Sequence, residues 1–521
     1  MPDVPATRAR VAAMATAGLL CAVYVVLRPP SQDFASGHFR AQLFDRGVYL
    51  WNNLWFGGHP LPGYGVVPPW LGSVFGVVAV AVVSVLVATW CFTLLVEHWA
   101  QQRPDLGSAT AAAVVFAISC SVNLWGGRLT FGPAVMFAMV CALAVQRQHW
   151  VIAVVTGALC GLSSPVGALS LGIVLAAVFI TRTRSRPLVV AIAAAAVVPI
   201  GALIVLFPEG GWYPFTVGGL VLLLGAVAIV GWFGRDIALV RLGAVLYGLV
   251  ALAAFVVRSP LGGNVVRLGW LMTAPLAVLV IRGQRPWVLP TAVAACLVWT
   301  FSPVKAALHI GDRTADAAYY DSLAAEVHKL PQPTRIEAVP TLTFGQADEL
   351  ALRTSGIARG WESQLDRAMN PEFYTDRLDA DVFHRWLLEH AVGYVALPLG
   401  SVQQYSQAEA ALVRSEPAYL HLVWQNDDWK LYAVRNAAPL ASNGSRVVDV
   451  QPESLTIDVV TPGPTVVKFR YTELYRVATG DACIEPTADG WINLVVRAPG
   501  RVTLTIDAAE VTVLHRTPSC P

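Results

Sequence analysis

The stretch "LGSVFGVVAVAVVSVLVATWCFTLLV" (Leu71–Val96) contains no charged side chain and is rich in Val, Ala and Leu. A helix needs about 20 apolar residues to cross the hydrocarbon core of a bilayer. The stretch therefore predicts a transmembrane helix. Similar apolar sequence continues, with short polar interruptions, as far as Pro303.

The composition of the whole chain also indicates a membrane protein. Its 521 residues are 55% hydrophobic and only 13% charged, whereas a soluble protein carries about 25% charged residues. Acidic and basic residues return at ordinary density from Lys305 onward. We therefore predict a membrane domain over residues 1–303, followed by a soluble part. The net charge of +2 gives no indication of nucleic acid, and no nucleic-acid partner is predicted.

Several further runs have the length of a membrane span. The candidates are residues 11–28, 71–96, 108–124, 131–146, 187–207, 215–233, 237–257, 264–281 and 287–303. The N-terminal "MPDVPATRARVAAMATAGLLCAVYVVLRPP" lacks a small-residue cleavage site, so we predict an uncleaved first helix rather than a signal peptide. Residues 151–180 are too long for one straight span. Because "GLSSPVGAL" (Gly161–Leu169) breaks them, we interpret them as two short helices, which gives about eleven membrane segments.

Basic residues between the spans set the predicted orientation. Loops rich in Arg stay in the cytoplasm, and Arg falls in alternate loops. Those positions are Arg8, Arg10, Arg103, Arg147, Arg182, Arg184, Arg186, Arg235, Arg241, Arg282 and Arg285. We therefore predict a multi-pass protein of the plasma membrane with a cytoplasmic N-terminus. The large first loop, residues 29–70, and everything after Pro303 are predicted to be extracytoplasmic.

The extracytoplasmic part is predicted to contain two domains. Residues 304–440 alternate helix-like and strand-like segments such as "DVFHRWLLEHA" and "VGYVALP", which indicates an α/β domain. Residues 441–521 contain alternating β-branched segments and an "APGR" turn, which favours a β-sandwich. The predicted fold class is thus mainly α: a polytopic helical membrane domain, an extracytoplasmic α/β region and a C-terminal β-sandwich.

The cysteines divide between the two parts of the chain. Six of the eight lie in predicted spans, where Cys behaves as a small apolar residue. The other two, Cys483 and Cys520, lie in the last, exported segment. An oxidising exterior favours a Cys483–Cys520 disulfide; the alternative is two free thiols.

Acidic residues inside the membrane domain are too few for a coupled transporter. Such a transporter needs ionisable groups or broken helices near the bilayer midplane. The acids of the apolar region are Glu97, Asp105, Glu209 and Asp236, and all four fall in loops or at span ends. The break around Pro165 is the one feature typical of a transporter, and such breaks are more often structural kinks.

The first predicted outer loop holds most of the unusual residues. "DFASGHFRAQLFDRGVYLWNNLWFGGHPLPGYGVVPPW" (Asp33–Trp70) contains two Asp, two His and three Trp. Phe39, Leu43 and Leu50, separated by polar residues, predict an amphipathic helix on the membrane surface. The Gly- and Pro-rich "GGHPLPGYG" predicts a rigid, exposed turn.

Most single residues of this loop also have a purely structural interpretation. Trp51, Trp55 and Trp70 fit the aromatic belt at a membrane interface. Asp45 can form a solvated pair with its neighbour Arg46, and His59 can be a turn residue.

Asp33 is the residue for which a chemical role is easiest to argue. It lies six residues after Leu27, near the depth of the lipid headgroups, where a carboxylate gains little from its anionic surroundings. A carboxylate can accept the proton of a sugar hydroxyl while a glycosidic bond forms. The leaving lipid phosphate needs cationic groups, which Arg128, Arg258 and Arg267 in or beside other outer loops can supply.

Two sequence patterns are similar to a known superfamily. "Gln32-Asp33-Phe34…His38" followed by "LWNNLWFGGHPLPGYGVVPPW" is similar to the Asp…His…Trp…Gly-Gly-x-Pro…Pro-Pro pattern of bacterial GT-C glycosyltransferases. "ARGWESQLDRAMNPEFY" and "WLLEHAVGYVALP" resemble the exported domain of actinobacterial relatives. The resemblance implies a polyprenyl-phosphate sugar donor, Asp33 as catalytic base and His38 as the histidine that follows it. The chain lacks the family's usual pair of adjacent acids. Because a divalent cation usually needs more than one carboxylate, the pattern does not decide whether the chain has a metal site.

We therefore predict an inverting cell-envelope glycosyltransferase in which Asp33 is the base. It passes a sugar from a polyprenyl-phosphate donor in the membrane lipid to an extracytoplasmic glycan or glycolipid acceptor. The predicted substrate-binding residues are His38, Asp45, Trp51, Trp55, His59, Tyr64, Arg128, Arg258 and Arg267.

These residues have different expected roles. His38 orients the acceptor or the donor phosphate, and the three arginines hold the phosphate. Trp51, Trp55 and Tyr64 offer faces for sugar rings, and "RGWESQLD" (Arg359–Asp366) shapes the acceptor channel.

Two alternatives stay open, and no cofactor is assigned beyond a divalent cation as an option. One alternative is a transporter or flippase of lipid-linked precursors. The other is a non-catalytic membrane protein of envelope assembly. Both predict that Asp33 is dispensable.

Overall fold

The computed structural model describes residues 4–182, 185–282, 284–375, 377–506 and 520. The chain is mainly helical and has a β-rich C-terminal region in several sheets. It divides into a helical unit, Met1–Gly37 with Gly63–Ile310, and a mixed unit, His38–Pro62 with Gly311–Pro521. Arg184 of the predicted cytoplasmic loop lies outside the described residues, as do residues 507–519 and 521 of the predicted β-sandwich.

The helical unit is built from apolar helices joined by short loops. They are α1 (Val4–Leu27), the start of α2 (Phe34–Asp45), α3 (Val67–Phe75), α4 (Val77–Gln102), α5 (Ala109–Trp125), α6 (Phe131–Gln146), α7 (Trp150–Ser163), α8 (Pro165–Thr181), α9 (Arg186–Leu206), α10 (Val217–Phe233), α11 (Ala238–Val256), α12 (Val266–Val280) and α13 (Val288–Thr300). Within the described residues, five stretches are long and apolar enough to cross a membrane: Thr7–Leu27, Val77–Gln102, Arg186–Leu206, Ala238–Val256 and Gly262–Val280. These helices agree with the predicted membrane protein.

The predicted break within residues 151–180 is present. α7 ends at Ser163, Ser164 is extended (φ −164°, ψ 131°), and Pro165 opens α8. A proline is tolerated in the first turn of a helix but interrupts a helix that reaches it from the N-terminal side. The sequence "SSP" therefore separates two helices here.

The predicted span over residues 71–96 needs a correction. Gly76 adopts φ 80° between α3 and α4, so the chain turns there instead of continuing as one helix. A positive φ suits glycine because it has no Cβ. α4 also extends past Val96, and its Glu97 pairs with Arg10 of α1 at 2.7 Å.

Loops that were predicted to be outside meet at one end of the helical unit. Val66 N–H donates to the carbonyl of Leu162, and Tyr213 N–H donates to that of Ser259. The loop after α5 likewise lies against the segment after α1, as described below. At the opposite end, Arg282 pairs with Asp105 at 3.0 Å. The helical unit thus has one end rich in arginine–carboxylate pairs and one end where the predicted outer loops pack together.

The first part of the mixed unit is an α/β arrangement. Its four-stranded sheet has the order β3-β4-β6-β5, with β3 and β4 parallel and the other pairs antiparallel. Its elements, after the two short strands β1 (Trp51–Asn52) and β2 (His59–Pro60), are α14 (Asp321–Val327), β3 (Arg335–Ala338), α15 (Ser363–Met369), α16 (Ala380–Glu389), β4 (Val392–Pro398), α17 (Gln407–Arg414), β5 (Leu420–Gln425) and β6 (Trp429–Val434). Phe383 and Leu387 of α16 pack on this sheet in a fully buried cluster.

The second part of the mixed unit contains two antiparallel sheets. One has the order β10-β13-β8-β7 and the other β11-β12-β9. The strands are β7 (Arg446–Gln451), β8 (Ser454–Val459), β9 (Gly463–Arg470), β10 (Arg476–Thr479), β11 (Ala482–Pro486), β12 (Trp491–Val496) and β13 (Gly500–Thr505). Apolar side chains from both sheets share one buried cluster. The predicted disulfide is present, and it joins Cys483 and Cys520 across a Cα–Cα distance of 5.4 Å.

The predicted first loop is divided between the two units. Residues 38–62 belong to the mixed unit, where Phe39 and Leu43 of α2 lie fully buried in its core. A helix is therefore present, but it ends before Leu50, and its Phe39 and Leu43 pack in the protein core, so the predicted amphipathic surface helix is corrected. His59 is 1% exposed, so the turn that carries it is not exposed as predicted.

Candidate functional site

Asp33 and Arg128 form an ion pair at the end of the helical unit where the predicted outer loops meet. Arg128 Nε lies 3.5 Å from Asp33 Oδ2, which is long for a hydrogen bond. The Arg128 side chain is 8% exposed, whereas that of Asp33 is 28% exposed. The carboxylate is thus held beside a buried cation and remains reachable from outside the protein.

A glycine lets the two loops approach each other. Gly127 adopts φ 67°, and a Cβ at this position would collide with Ser31 Oγ and the backbone of Phe34. Glycine avoids both the strain and the collision. The dipeptide Gly126–Gly127 therefore places Arg128 beside the segment that carries Asp33.

A second arginine shares this region with Arg128. The guanidinium of Arg128 lies 4.6 Å from the ring centroid of Trp270, and that of Arg267 lies 5.6 Å from the ring centroid of Phe131. Burial, followed by the positive charge of Arg267, lowers the pKa of Arg128 to about 10 despite the opposing effect of Asp33. The site therefore holds two arginines and one carboxylate, and Arg128 stays protonated at neutral pH.

The structure does not bring Arg258 into an ion pair with Asp33. Arg258 is exposed, and its guanidinium lies 5.4 Å from the ring centroid of Trp212. Tyr64 is half-buried in the helical unit. Of the residues predicted in this unit, Asp33, Arg128 and Arg267 thus form the cluster.

His38 lies in a different set of contacts, within the mixed unit. Its Nδ1 is 2.6 Å from Asp348 Oδ2 and 3.1 Å from the side-chain nitrogen of Gln42. Asp348 and Glu349 stand on a π-helical turn (Gln346–Leu350), a conformation frequent at functional sites. Although burial opposes it, the Asp348 carboxylate raises the pKa of His38 above its ordinary value.

Three side chains at this point can hold a divalent cation. One ligand atom each from His38, Asp348 and Glu349 lies within 4.8 Å of the others. Carboxylates and imidazole are suitable ligands for several divalent metals, although Glu349 also pairs with Arg353. A cation site usually needs more than one carboxylate, and Asp348 and Glu349 supply two beside His38. They lie about 310 positions after His38 in the sequence, so no local sequence pattern indicates that they are close to it in space.

Two of the tryptophans of the first loop, Trp51 and Trp55, are buried. Trp55 is fully buried, and its ring stacks between Phe39 at 4.2 Å and His59 at 5.6 Å. Both faces are therefore occupied, so the predicted stacking of Trp55 on a sugar is corrected. Trp51 is 6% exposed and donates its indole N–H to Asn53, which leaves it no open face either.

The two remaining predicted residues of the first loop have contrasting surroundings. His59 Nε2 accepts a hydrogen bond from the side-chain amide nitrogen of Asn52 at 3.0 Å, and burial lowers the pKa of His59 to about 4. A buried, neutral His59 cannot contact a substrate, so its predicted role is corrected. Asp45 is the exposed last residue of α2 and is available to solvent.

The segment "RGWESQLD" contains a buried charge cluster. Arg359 Nη2 donates to Glu337 at 2.8 Å and also to Glu409, and Arg359 Nη1 lies 3.6 Å from Asp366. All four side chains are 2% exposed or less. This segment therefore holds the interior of the mixed unit together, and sequence alone indicated neither Glu337 nor Glu409 as its partners.

The chain has no match among protein-family models or curated proteins. Its function is therefore argued from the residues and their geometry.

Proposed function

We propose that the protein is a membrane glycosyltransferase of the GT-C type. It transfers a sugar from a polyprenyl-phosphate donor to an extracytoplasmic glycan or glycolipid. The observation that carries this proposal is the cluster of Asp33, Arg128 and Arg267, in which a reachable carboxylate pairs with Arg128, and Arg128 in turn lies near Arg267. Inverting transfer from a lipid phosphate needs a base and a phosphate-binding group within one small region.

The proposed reaction follows from the charges of this cluster. The acceptor hydroxyl gives its proton to Asp33 as its oxygen attacks the anomeric carbon. The bond between that carbon and the phosphate oxygen breaks, and the bonding electron pair leaves with the polyprenyl phosphate. Arg128 and Arg267 stabilise the negative charge that develops on the phosphate.

The proposed topology places this cluster outside the cytoplasm. About eleven membrane segments, with α7 and α8 as a hairpin of short helices, would put the arginine-rich loops in the cytoplasm and the N-terminus with them. The Asp33 loop and the mixed unit, with its two terminal sheets as a β-sandwich, would then be extracytoplasmic. A disulfide in the mixed unit supports an oxidising compartment for that unit.

His38 is a further substrate-binding residue of this proposal, and its contact with Asp348 supports that role. Its side chain is 34% exposed, whereas its partner Asp348 is 4% exposed. A buried carboxylate of this kind fixes the orientation of an imidazole. His38 is thus prepared to donate to an anionic or hydroxyl group of the acceptor, or to hold a divalent cation with Asp348 and Glu349.

One observation favours the alternative of a transporter or flippase. The interruption between α7 and α8 at Ser164 leaves a broken pair of helices in the helical unit, and broken helices form the binding sites of many transporters. Under that alternative the Asp33 carboxylate has no chemical task.

The Asp33→Asn variant tests the proposal. In cells whose only copy is this variant, we expect the lipid-linked sugar donor to accumulate and one envelope glycan to be lost. The size of the expected loss is about 10²–10⁴-fold, the contribution of a general base. The readout is mass spectrometry of polyprenyl-phosphate sugars and envelope glycans.

Asp236→Asn is the matched control, because Asp236 is an exposed carboxylate in the same unit. Both variants are compared with wild type for membrane amount and for elution as a single species. Normal glycans in cells with a stable Asp33→Asn protein would reject the glycosyltransferase proposal. The two alternatives, a transporter or flippase and a non-catalytic envelope-assembly protein, would then remain.

A further inference from the structure

A second cluster of cations lies in the mixed unit around Trp491. Lys468 Nζ is 5.3 Å and the Arg470 guanidinium carbon 3.9 Å from the centroid of the Trp491 ring. Lys468 and Arg470 are two residues apart on β9 and therefore project from the same face of the strand. The two charges are thus gathered over a single indole ring.

Arg335 brings a third positive charge to the same place. Its Nη1 donates to the carbonyl of His390 at 2.7 Å and its Nη2 to the carbonyl of Lys468 at 2.5 Å. A Cβ built on Gly57 would meet both Arg335 Nη2, at 3.1 Å, and the Trp491 ring, at 3.3 Å. The backbone of Lys468 and the glycine thus link Arg335 to the pair over Trp491.

Asp489 and Glu389 act electrostatically on Lys468, and Asp489 also acts on Arg470, but among the described residues neither carboxylate forms an ion pair with these cations. In the part of the chain that the structure describes, none of them forms an ion pair, and their hydrogen bonds go to backbone carbonyls such as that of Asp489. The nearest acidic side chains, Asp489 and Glu389, are exposed. Arg470 Nε is buried without a hydrogen-bond partner among the described residues.

Such an arrangement has an electrostatic cost that an anion removes. Burial lowers the pKa of Lys468 despite the opposing charges of Asp489 and Glu389, and the neighbouring Arg335 and Arg470 lower it further. The guanidinium of Arg335 donates to two backbone carbonyls, but among the described residues no ion pair balances its positive charge. Cations gathered in a partly buried region are normally paired with an anion, and here the exposed Asp489 and Glu389 offset the positive charge only from a distance.

We propose that Lys468 and Arg470, backed by the buried Arg335, form a binding site for a single oxyanion. Lys468 offers an ammonium group with three donors, and Arg470 offers the planar guanidinium of a partly exposed side chain. Both side chains are partly exposed, so a ligand can reach them. Trp491 is 5% exposed and therefore fixes the cations and offers no face to a sugar.

The ligand chemistry is a phosphate or a carboxylate carried by a larger molecule such as a glycan. A phosphate-bearing polymer and a uronic-acid residue both present this group. The site is independent of the proposed sugar transfer, because all its residues lie in the mixed unit and none belongs to the Asp33 cluster.

Amine labelling of the full-length protein in detergent tests this site directly. The chain has four lysines, and Lys329 and Lys430 of the same unit serve as internal references. Sodium phosphate and sodium glucuronate are titrated at constant ionic strength, with chloride as the balancing anion, and acylation of each lysine is measured by mass spectrometry. An anion that binds raises the pKa of Lys468, so its reactive neutral form becomes rarer.

We expect acylation of Lys468 to slow saturably by about threefold or more, which corresponds to roughly half a pKa unit, with no change at Lys329 or Lys430. Slowing by phosphate alone assigns a phosphate-bearing ligand, and slowing by glucuronate alone assigns a carboxylate. Equal Lys468 acylation with chloride, phosphate and glucuronate overturns the proposal.

Variants separate a binding site from a structural contact. Arg470→Gln should abolish the protection of Lys468, whereas Arg497→Gln, an exposed arginine of the same unit, should retain it. If Arg470→Gln does not fold, Arg470→Lys keeps the charge but loses the planar fork, and it should weaken the protection by about tenfold in anion affinity. Protection that is unchanged in a folded Arg470 variant also overturns the proposal.

Discussion

Arg128 in the helical unit and Arg359 in the mixed unit are both buried arginines, but their charge surroundings are opposite. Arg359 lies among three buried carboxylates, Glu337, Asp366 and Glu409. Arg128 has one partly exposed carboxylate, Asp33, and a second arginine nearby. One cluster has an excess of negative charge and the other an excess of positive charge.

The two clusters can compensate their excess charge in different ways. Burial raises the pKa of Glu337 and Glu409 above the ordinary value despite the opposing charge of Arg359. The Arg359 cluster can therefore offset its excess negative charge by taking up protons. Arg128, whose pKa is about 10, keeps its charge at neutral pH, so an anion from outside the chain is needed to balance it.

Removal of Arg359 should have the largest effect. Arg359→Met leaves three buried carboxylates without a cation, and breaking a buried ion pair costs about 3–5 kcal/mol. We expect a loss of that size in the free energy of unfolding, measured by denaturant titration of the purified protein with tryptophan fluorescence. An exposed arginine in the same unit, changed in Arg497→Gln, should leave stability unaltered; an equally stable Arg359→Met protein would mean that the cluster is not structural.

Removal of Arg128 should have a smaller effect. It should lower the rate of sugar transfer and leave the stability of the folded protein unchanged. Arg128→Gln relieves a buried, under-compensated charge, so the folded protein should not be destabilised. Sugar transfer should fall by about a hundredfold, the usual cost of losing one transition-state donor. The measurement is the rate of loss of lipid-linked donor in membranes, with Arg241→Gln at an exposed position of the same unit as the control.

The pH dependence of stability should show the smallest difference. Because Glu337 and Glu409 have raised pKa values in the folded state, the folded protein binds more protons than the unfolded one. The free energy of unfolding should therefore fall as the pH rises above about 4.5, the value for an unfolded glutamate. Glu409→Gln should make the free energy of unfolding fall less steeply with pH. At about pH 5 the free energy of unfolding of this variant should stay within about 1 kcal/mol of the wild-type value, which is the scale of one hydrogen bond. An unchanged slope would exclude Glu409 as a group that takes up a proton on folding.

Much of the helical unit was predictable because apolar runs and Pro or Gly interruptions act locally. The break at Ser164 follows from "SSP", whereas the turn at Gly76 was missed because a single glycine inside an apolar run gives only a weak signal. The pairing of Cys483 with Cys520 was predictable because both cysteines lie in the exported segment.

The candidate site was predictable only in part. Asp33 and Arg128 could be selected from their positions after predicted spans, and the structure pairs them. The Trp55 and His59 assignments did not hold because both side chains are buried in the mixed unit, and burial of a loop residue by a distant segment leaves no local pattern. The partners of His38 and Arg359 were missed for the same reason.

Binding of polyprenyl phosphate by the purified protein in lipid nanodiscs is the decisive measurement for the proposed phosphate-binding role of Arg128. We expect wild type to bind polyprenyl phosphate in preference to the uncharged polyprenol. We also expect Arg128→Gln to weaken phosphate binding by about tenfold or more, since a hydrogen bond to a charged group contributes about 1.5–3 kcal/mol, while Arg241→Gln should not. Equal affinity of wild type and a folded Arg128→Gln protein for polyprenyl phosphate would contradict this role.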